Sequence, residues 1–220
     1  QDSLVSLIQR AQPENDVYRA RYNEFIRYCD KQFEYFINHL EAKKMLGNTV
    51  VILSSDHGEI FEHNFINHGN SLYEAETDIP LIIRIPNQNI GRVINDLVEQ
   101  IDIPATILDV ADIPAPSWVE GRSLVPLLNG ETLPYRPVFS MNLQLNPSLG
   151  HKITKGMFAV WKGSYKLIYD LGENKTLLFN LEQDPDELNN LMYSEYDIGK
   201  YLRNLTIENL KNANQKYQLP

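Results

Sequence analysis

Thr49-Val50-Val51-Ile52-Leu53-Ser54-Ser55-Asp56-His57-Gly58-Glu59 is the stretch on which the fold turns. Its first half is a short, continuous, β-branched run. Such a run predicts a strand buried on both faces, the kind found in parallel sheets. Its second half places an acid, an imidazole and a glycine directly after that strand. In open α/β sheets, ligands bind outside the carboxyl ends of the strands. Asp56 offers a hard oxygen and His57 an imidazole nitrogen, and both can hold a metal. Gly58 lets the backbone turn sharply and come close to a ligand. Spacing alone leaves two readings open: a pair of metal ligands, or a loop in which Asp56 caps a helix and His57 is exposed.

Upstream, Tyr18, Tyr22, Phe25, Ile26, Cys29, Phe33, Phe36, Ile37 and Leu40 recur at three- and four-residue spacing. This predicts an amphipathic helix with a wide buried stripe, started at Asp16 and stopped near Gly47. Cys29 falls on the stripe and is expected in the core rather than as a nucleophile. Downstream, Ile79-Pro80-Leu81-Ile82-Ile83-Arg84-Ile85 reads as a second strand. The order helix, strand, loop, strand predicts α/β architecture over residues 1–130. Val93 to Val110 carries helical periodicity, with Asp102 a candidate cap and Pro104 in the first turn. Ser123 to Leu128 predicts a helical turn closed by Asn129-Gly130.

The pattern changes near residue 131. Val138–Met141, Met157–Trp161, Tyr165–Tyr169 and Leu177–Leu181 are short apolar runs. Turn signals at Lys162-Gly163, Gly172-Glu173-Asn174 and Asp184-Pro185-Asp186 separate the later ones. Residues 131–220 are therefore expected to form a small four-stranded antiparallel sheet followed by a helix over 195–217.

Composition narrows the classes. The chain has 220 residues, 43% of them hydrophobic, and a net charge of -9. An acidic chain is a poor non-specific nucleic-acid binder, since that binding needs a basic surface. No apolar run approaches the ~20 residues of a membrane helix. A single cysteine excludes internal disulfides and Cys-rich zinc sites. The chain opens on Gln1, with no signal peptide, and is expected to begin inside a longer protein. Asn174-Lys175-Thr176 and Asn204-Leu205-Thr206 match the glycosylation pattern, which is too common by chance to place the protein.

Three of the five histidines, His57, His63 and His68, fall in one loop with Glu62 and Asn67. The five-residue interval between His63 and His68 is not the i, i+4 pair of a zincin helix. Singly, each histidine reads as a hydrogen-bonded surface residue. Their concentration in one loop favours a site.

Several segments, in order, resemble the sulfatase family of the alkaline-phosphatase-like superfamily. Ser55-Asp56-His57-Gly58 matches its Ser-Asp-His/Asn-Gly motif. His68-Gly69-Asn70-Ser71-Leu72-Tyr73-Glu74 and Ile79-Pro80-Leu81-Ile82-Ile83 match its Gly/His loop, Tyr-Glu pair and Pro-Leu-Ile strand. Asp102-Ile103-Pro104-Ala105-Thr106 stands for its Asp-x-x-Pro-Thr helix, with Pro104 and Thr106 one residue further apart. Gly121-Arg122-Ser123-Leu124-Val125-Pro126-Leu127-Leu128 matches Gly-x-Ser-Leu-x-Pro-Leu-Leu. Lys166-Leu167-Ile168 and Leu178-Phe179-Asn180-Leu181-Glu182-Gln183-Asp184-Pro185-Asp186-Glu187 match its closing sheet.

The resemblance implies the C-terminal part of an alkaline-phosphatase-like α/β sheet domain, then the small antiparallel subdomain. It implies a metal-dependent sulfuric ester hydrolase acting on a sulfated small molecule or glycan. Asp56 and His57 would be one ligand pair of a divalent metal. Calcium is the family's usual ion, and the imidazole admits manganese or zinc. His68 lies near the family's Lys or His that contacts the ester, so it is the implied general acid, a role worth ~10²–10⁴-fold. The family is mostly exported, to periplasm or outside the cell, or lysosomal.

The chain also departs from the family. No Cys or Ser stands in a Cys/Ser-x-Pro/Ala-x-Arg context, and no Asp-Asp pair occurs. The nucleophile and the first metal pair are therefore missing, and the chain alone is expected to be inactive. Three readings follow: a fragment of a sulfatase, a non-catalytic binding or assembly module of the same fold, or a relative of the phosphodiester and phosphonate hydrolases or phosphoglycerol transferases. Exposed strand edges invite pairing, so a homodimer or pairing with the N-terminal part of the parent protein is expected.

Overall fold

The computed structural model describes residues 8–9, 12–61, 65–66, 68–69, 71–88, 90–143 and 151–216. The chain forms two units. Gln1–His68, Asp78–Asp96 and Gln100–Leu133 make the first, and Gly69–Thr77, Leu97–Glu99 and Pro134–Pro220 the second.

In the first unit, β1 (Ile8–Gln9) is followed by α1 (Gln12–Ala42), a helix of 31 residues. It begins four residues before the expected cap at Asp16, because a proline such as Pro13 is tolerated in a first turn. It ends at Ala42 rather than near Gly47. Lys44 takes the left-handed conformation (φ 56°), and the Met45 N–H closes back onto Leu40 O at 2.9 Å. The aromatic stripe is not buried. Phe25 is 65% exposed, and Tyr22, Ile26 and Phe36 are also open. Cys29 is exposed too, against the expectation of a core residue. Periodicity reports which residues share a face; it does not supply the surface that covers it.

β2 (Val51–Ser54) pairs with β4 (Leu81–Arg84), with Ile52 opposite Ile83 and Leu53 opposite Ile82. The pairing is antiparallel, which corrects the parallel expectation. Neither strand is buried on both faces: Ser54 of β2 and Ile82 of β4 are exposed. A β-branched run reports a fit to a pleated surface and carries no information on strand direction. The two-residue β3 (Phe65–Ile66) pairs antiparallel with β1.

Two family-like segments meet around α3 (Asp102–Val110). Asp102 does not cap the helix. It is fully buried, and its Oδ1 accepts the Arg122 N–H at 2.8 Å. Thr106 donates to Asp102 O at 2.7 Å and accepts the Leu124 N–H at 2.9 Å. Gly121 is required here because a Cβ would lie 1.8 Å from Ile101 O. α4 (Val125–Asn129) ends, as expected, on left-handed Gly130 at φ 86°.

The second unit is built on a meander of β5 (Val138–Leu143), β6 (Gly156–Lys162), β7 (Tyr165–Asp170) and β8 (Lys175–Asn180). The order is β5-β6-β7-β8, every pair antiparallel, as the turn signals predict. Both faces are covered. One gathers Val160, Leu167 and Leu178 under Leu202 of α5 (Tyr196–Lys216). Burying Leu202 completely stabilises the unit by about 1.5–3 kcal/mol. The other face gathers Val138, Ala159, Trp161, Ile168 and Phe179 with Leu72.

Lys166 sits on that second face, opposite Trp161 and Phe179 in register. It is fully buried. Its ammonium meets Glu74 Oε1 of α2 (Glu74–Thr77) at 2.8 Å and Glu187 Oε1 at 2.9 Å. It also lies 4.8 Å from the centre of the Trp161 ring. The Trp161 Nε1–H donates to Glu74 Oε1 at 2.8 Å, and Glu187 Oε2 accepts the Glu74 N–H at 2.5 Å. Burial pushes the Glu187 carboxyl above its ordinary range, against the pull of Lys166. Among the described residues no helix is long and apolar enough to cross a membrane.

Candidate functional site

The site begins where β2 ends. The Ser55 hydroxyl donates to His57 O at 2.7 Å, and the Gln100 side chain donates from Nε2 to Ser55 O at 2.8 Å. These bonds fix the loop from inside and from across the unit. The His57 N–H donates to Asp56 Oδ1 at 3.0 Å. The backbone N–H groups of Asp56 and of His57, then the His57 ring, hold the Asp56 carboxyl below its ordinary value. An acid held in its charged form is the form that a hard cation takes.

His57 Nδ1 lies 2.8 Å from Gly58 O. A carbonyl only accepts, so Nδ1 carries a proton, and in the neutral ring the lone pair is on Nε2. That lone-pair nitrogen stands 3.7 Å from Asp56 Oδ2. One oxygen and one nitrogen donor thus converge with their orientations already held. The Asp56 side chain is 86% exposed and that of His57 41%, so both remain reachable.

His68 joins them. Its ring stacks on that of His57 with centroids 4.0 Å apart and planes 23° apart. Its Nδ1 is 2.6 Å from Glu59 Oε2. The structure therefore brings together Asp56, His57 and His68, the three residues singled out from the sequence. Glu62, His63, Asn67 and Asn70 lie outside the described residues.

The fit to a metal can be judged from these donors. Asp56 and His57 have the chemistry and the spacing of two ligands. Among the described residues no group of three or more His, Cys, Asp or Glu is gathered that could hold an ion by itself. The donors fit as one part of a ligand set. Two residues that sequence reasoning gave no role enter here, Gln100 and Glu59. Glu59 was visible as the fifth residue of the motif. Gln100 gave no signal, being 45 positions away from the carbonyl that it holds.

Two family models match the chain: "Sulfatase" over residues 7–113 and "N-sulphoglucosamine sulphohydrolase, C-terminal" over residues 61–216. An arylsulfatase of Clostridium perfringens is 30% identical over 206 residues, covering 90% of this chain and 41% of its own. Arylsulfatase K of Xenopus laevis is 30% identical over 187 residues, covering 79% and 33%. The chain thus spans about a third to two fifths of the length of these relatives. Among solved structures, a 2-O GAG sulfatase superposes with a TM-score of 0.80 at 24% identity, over 93% of this chain and 45% of that one. A structure in complex with its substrate D-glucosamine-2-N,6-O-disulfate gives 0.64 at 24%, over 86% and 38%. A phosphonate monoester hydrolase of Silicibacter pomeroyi gives 0.69 at 25%, over 83% and 38%.

Proposed function

The chain belongs to the sulfatase family, and from that membership we propose that it forms the C-terminal part of a metal-dependent sulfuric ester hydrolase. Asp56 and His57 are two of the metal ligands in this reading, and His68 serves the leaving group. The observation that carries it is the convergence of Asp56 Oδ2 and His57 Nε2 at 3.7 Å beside a stacked second imidazole. A divalent ion, when bound, polarises the ester and lowers the pKa of a nucleophile. Calcium matches the family habit; manganese or zinc matches the imidazole donor. The chain's own part is to hold two ligands in a fixed orientation and to keep His68 at their side.

The nucleophile and the first acidic pair of the family pattern have no counterpart in the 220 residues. In this reading the chain alone turns over no ester and binds metal weakly. The exposed stripe of α1, with Phe25 and Ile26 open, is the surface that the N-terminal part of the parent protein would cover. A homodimer through the same stripe is the competing arrangement. The functional division at residues 130/131, a sulfated glycan or small molecule as substrate, and an exported or lysosomal setting belong to the same reading.

Titration calorimetry with calcium and with manganese tests the ligand pair. Weak binding by the wild-type chain, lost in Asp56→Asn and in His57→Ala, is expected. Equal binding by all three chains overturns it. The phosphonate monoester hydrolase neighbour supports a second substrate class. Relative rates of the parent enzyme on aryl sulfates and on aryl phosphonate monoesters separate the two.

A further inference from the structure

Two imidazoles stand face to face at the end of β2, and each has its Nδ1 committed to an atom of the same five-residue motif. His57 uses Gly58 O at 2.8 Å. His68 uses Glu59 Oε2 at 2.6 Å. A carbonyl and an ionised carboxylate accept and do not donate. Both rings in their neutral form therefore carry the proton on Nδ1 and the lone pair on Nε2. For His57 this suits metal ligation, where the second nitrogen of the ring is usually anchored to a carbonyl or carboxylate. His68 has the same anchoring, and among the described residues it joins no group of three or more metal-binding side chains.

The burial of the pair is asymmetric. The Glu59 side chain is 16% exposed, while that of His68 is 47% exposed. The carboxylate is the fixed member and the imidazole the reachable one. The hydrogen bond sets the rotation of the His68 ring, and the 4.0 Å stack on His57 sets its tilt. An exposed ion pair by itself is worth little to stability. What this pair does is restrict a ring in two directions at once.

We infer that Glu59 is the positioning residue of His68: it holds the proton on Nδ1 and makes Nε2 the nitrogen that exchanges a proton with the leaving oxygen. The inference rests on the hydrolase reading of His68 given above. When an imidazolium hands on its Nε2 proton, the remaining proton stays on Nδ1 toward Glu59, and the ring returns neutral in the same orientation. The motif Ser55-Asp56-His57-Gly58-Glu59 then has two outputs, a ligand pair from Asp56 and His57 and an oriented imidazole through Glu59.

Nitrogen-15 NMR of the histidine rings in the 220-residue chain tests this directly. Wild type is expected to show His68 as a single tautomer protonated at Nδ1. Glu59→Gln, an isosteric change, is expected to mix the two tautomers of His68 and leave His57 unchanged, with the unfolding midpoint unmoved. A wild-type His68 protonated at Nε2, or a Glu59→Gln spectrum identical to wild type, overturns the inference. In the full-length enzyme, Glu59→Gln is expected to slow an alkyl sulfate at least about tenfold more than a nitrophenyl sulfate, since only the poor leaving group needs the proton. Equal slowing of both esters assigns Glu59 to the fold and also overturns it. A wild-type enzyme that turns over neither ester ends the hydrolase reading instead, and the tautomer of His68 then decides the inference.

Discussion

Lys166 and Asp56 are both charged residues on or beside a strand, and the chain treats them in opposite ways. Lys166 has lost all contact with water and is enclosed by two carboxylates and an indole face. Asp56 keeps 86% of its side chain in solvent, although its carboxyl is held by backbone N–H groups. The first arrangement satisfies a charge completely and leaves it nothing further to bind. The second fixes the orientation of a charge and leaves its binding capacity open. Complete pairing suits a structural charge, and held but unsaturated orientation suits the ligand role proposed for Asp56.

The comparison breaks or sharpens first at Lys166. Lys166→Met strands the Glu187 carboxylate, whose side chain is 2% exposed, and should cost about 3–5 kcal/mol in urea unfolding. A loss under 1 kcal/mol would mean that the burial is not enforced. Adding Glu187→Gln to Lys166→Met should return a good part of that loss, because replacing both partners of a buried pair is often near neutral. If the double variant is no better than the single one, the pair is not the source of the cost. Trp161→Phe removes the Nε1–H bond to Glu74 and trims a buried ring that Lys166 faces, and should cost at least about 0.5–1.5 kcal/mol, read from the same unfolding curves.

The pH dependence is a finer test. Burial, with the Glu74 charge, raises the folded-state pKa of Glu187 above its ordinary 4.5, and Lys166 opposes this only in part. The folded chain therefore binds that proton more tightly than the unfolded chain does. The stabilising contribution is full below pH 4.5 and is lost as the pH rises through the raised value. The groups facing Glu187 are Lys166, Glu74 and the Tyr73 phenol, which is itself raised by burial and by Glu187. Glu187→Gln should flatten this slope in a series of thermal midpoints. An unchanged slope would assign it to other carboxylates. The smallest effect on stability is expected at Asp56→Asn, which should leave the unfolding midpoint in place while metal affinity falls at least about tenfold. A shifted midpoint would make Asp56 a structural residue after all.

Legibility in the sequence follows the same division. The four-stranded meander was readable because turn residues separate its later runs, and left-handed Gly163 and Asn174 sit in two of those turns. Gly130 was readable as a stop for the same reason. Asp56, His57 and His68 could be singled out because an acid and two imidazoles share one short loop. The antiparallel pairing of β2 and β4 was not readable, since apolar β-branched residues suit either direction. The role of Asp102 was misjudged because a carboxylate at a helix start normally caps it, and here it reaches the Arg122 N–H, 20 residues on. The burial of Lys166 was not readable because its partners, Glu74 and Glu187, lie 92 and 21 residues away. Pairings over such separations leave no local trace. Glu59 stood in plain view as the last residue of the motif, but its pairing with His68, nine residues on, left no local signal.

The misplaced cysteine has its own use. Cys29 is the only thiol in the chain, and it stands in solvent among the aromatic residues of α1. The helix therefore carries a natural reporter, reactive at one known point with no background from elsewhere. Its rate of alkylation measures how much of that helix is covered at any moment. Slowing on addition of another polypeptide would record coverage, and slowing with rising concentration of the chain alone would record self-association. A rate that neither condition changes would leave the stripe bare.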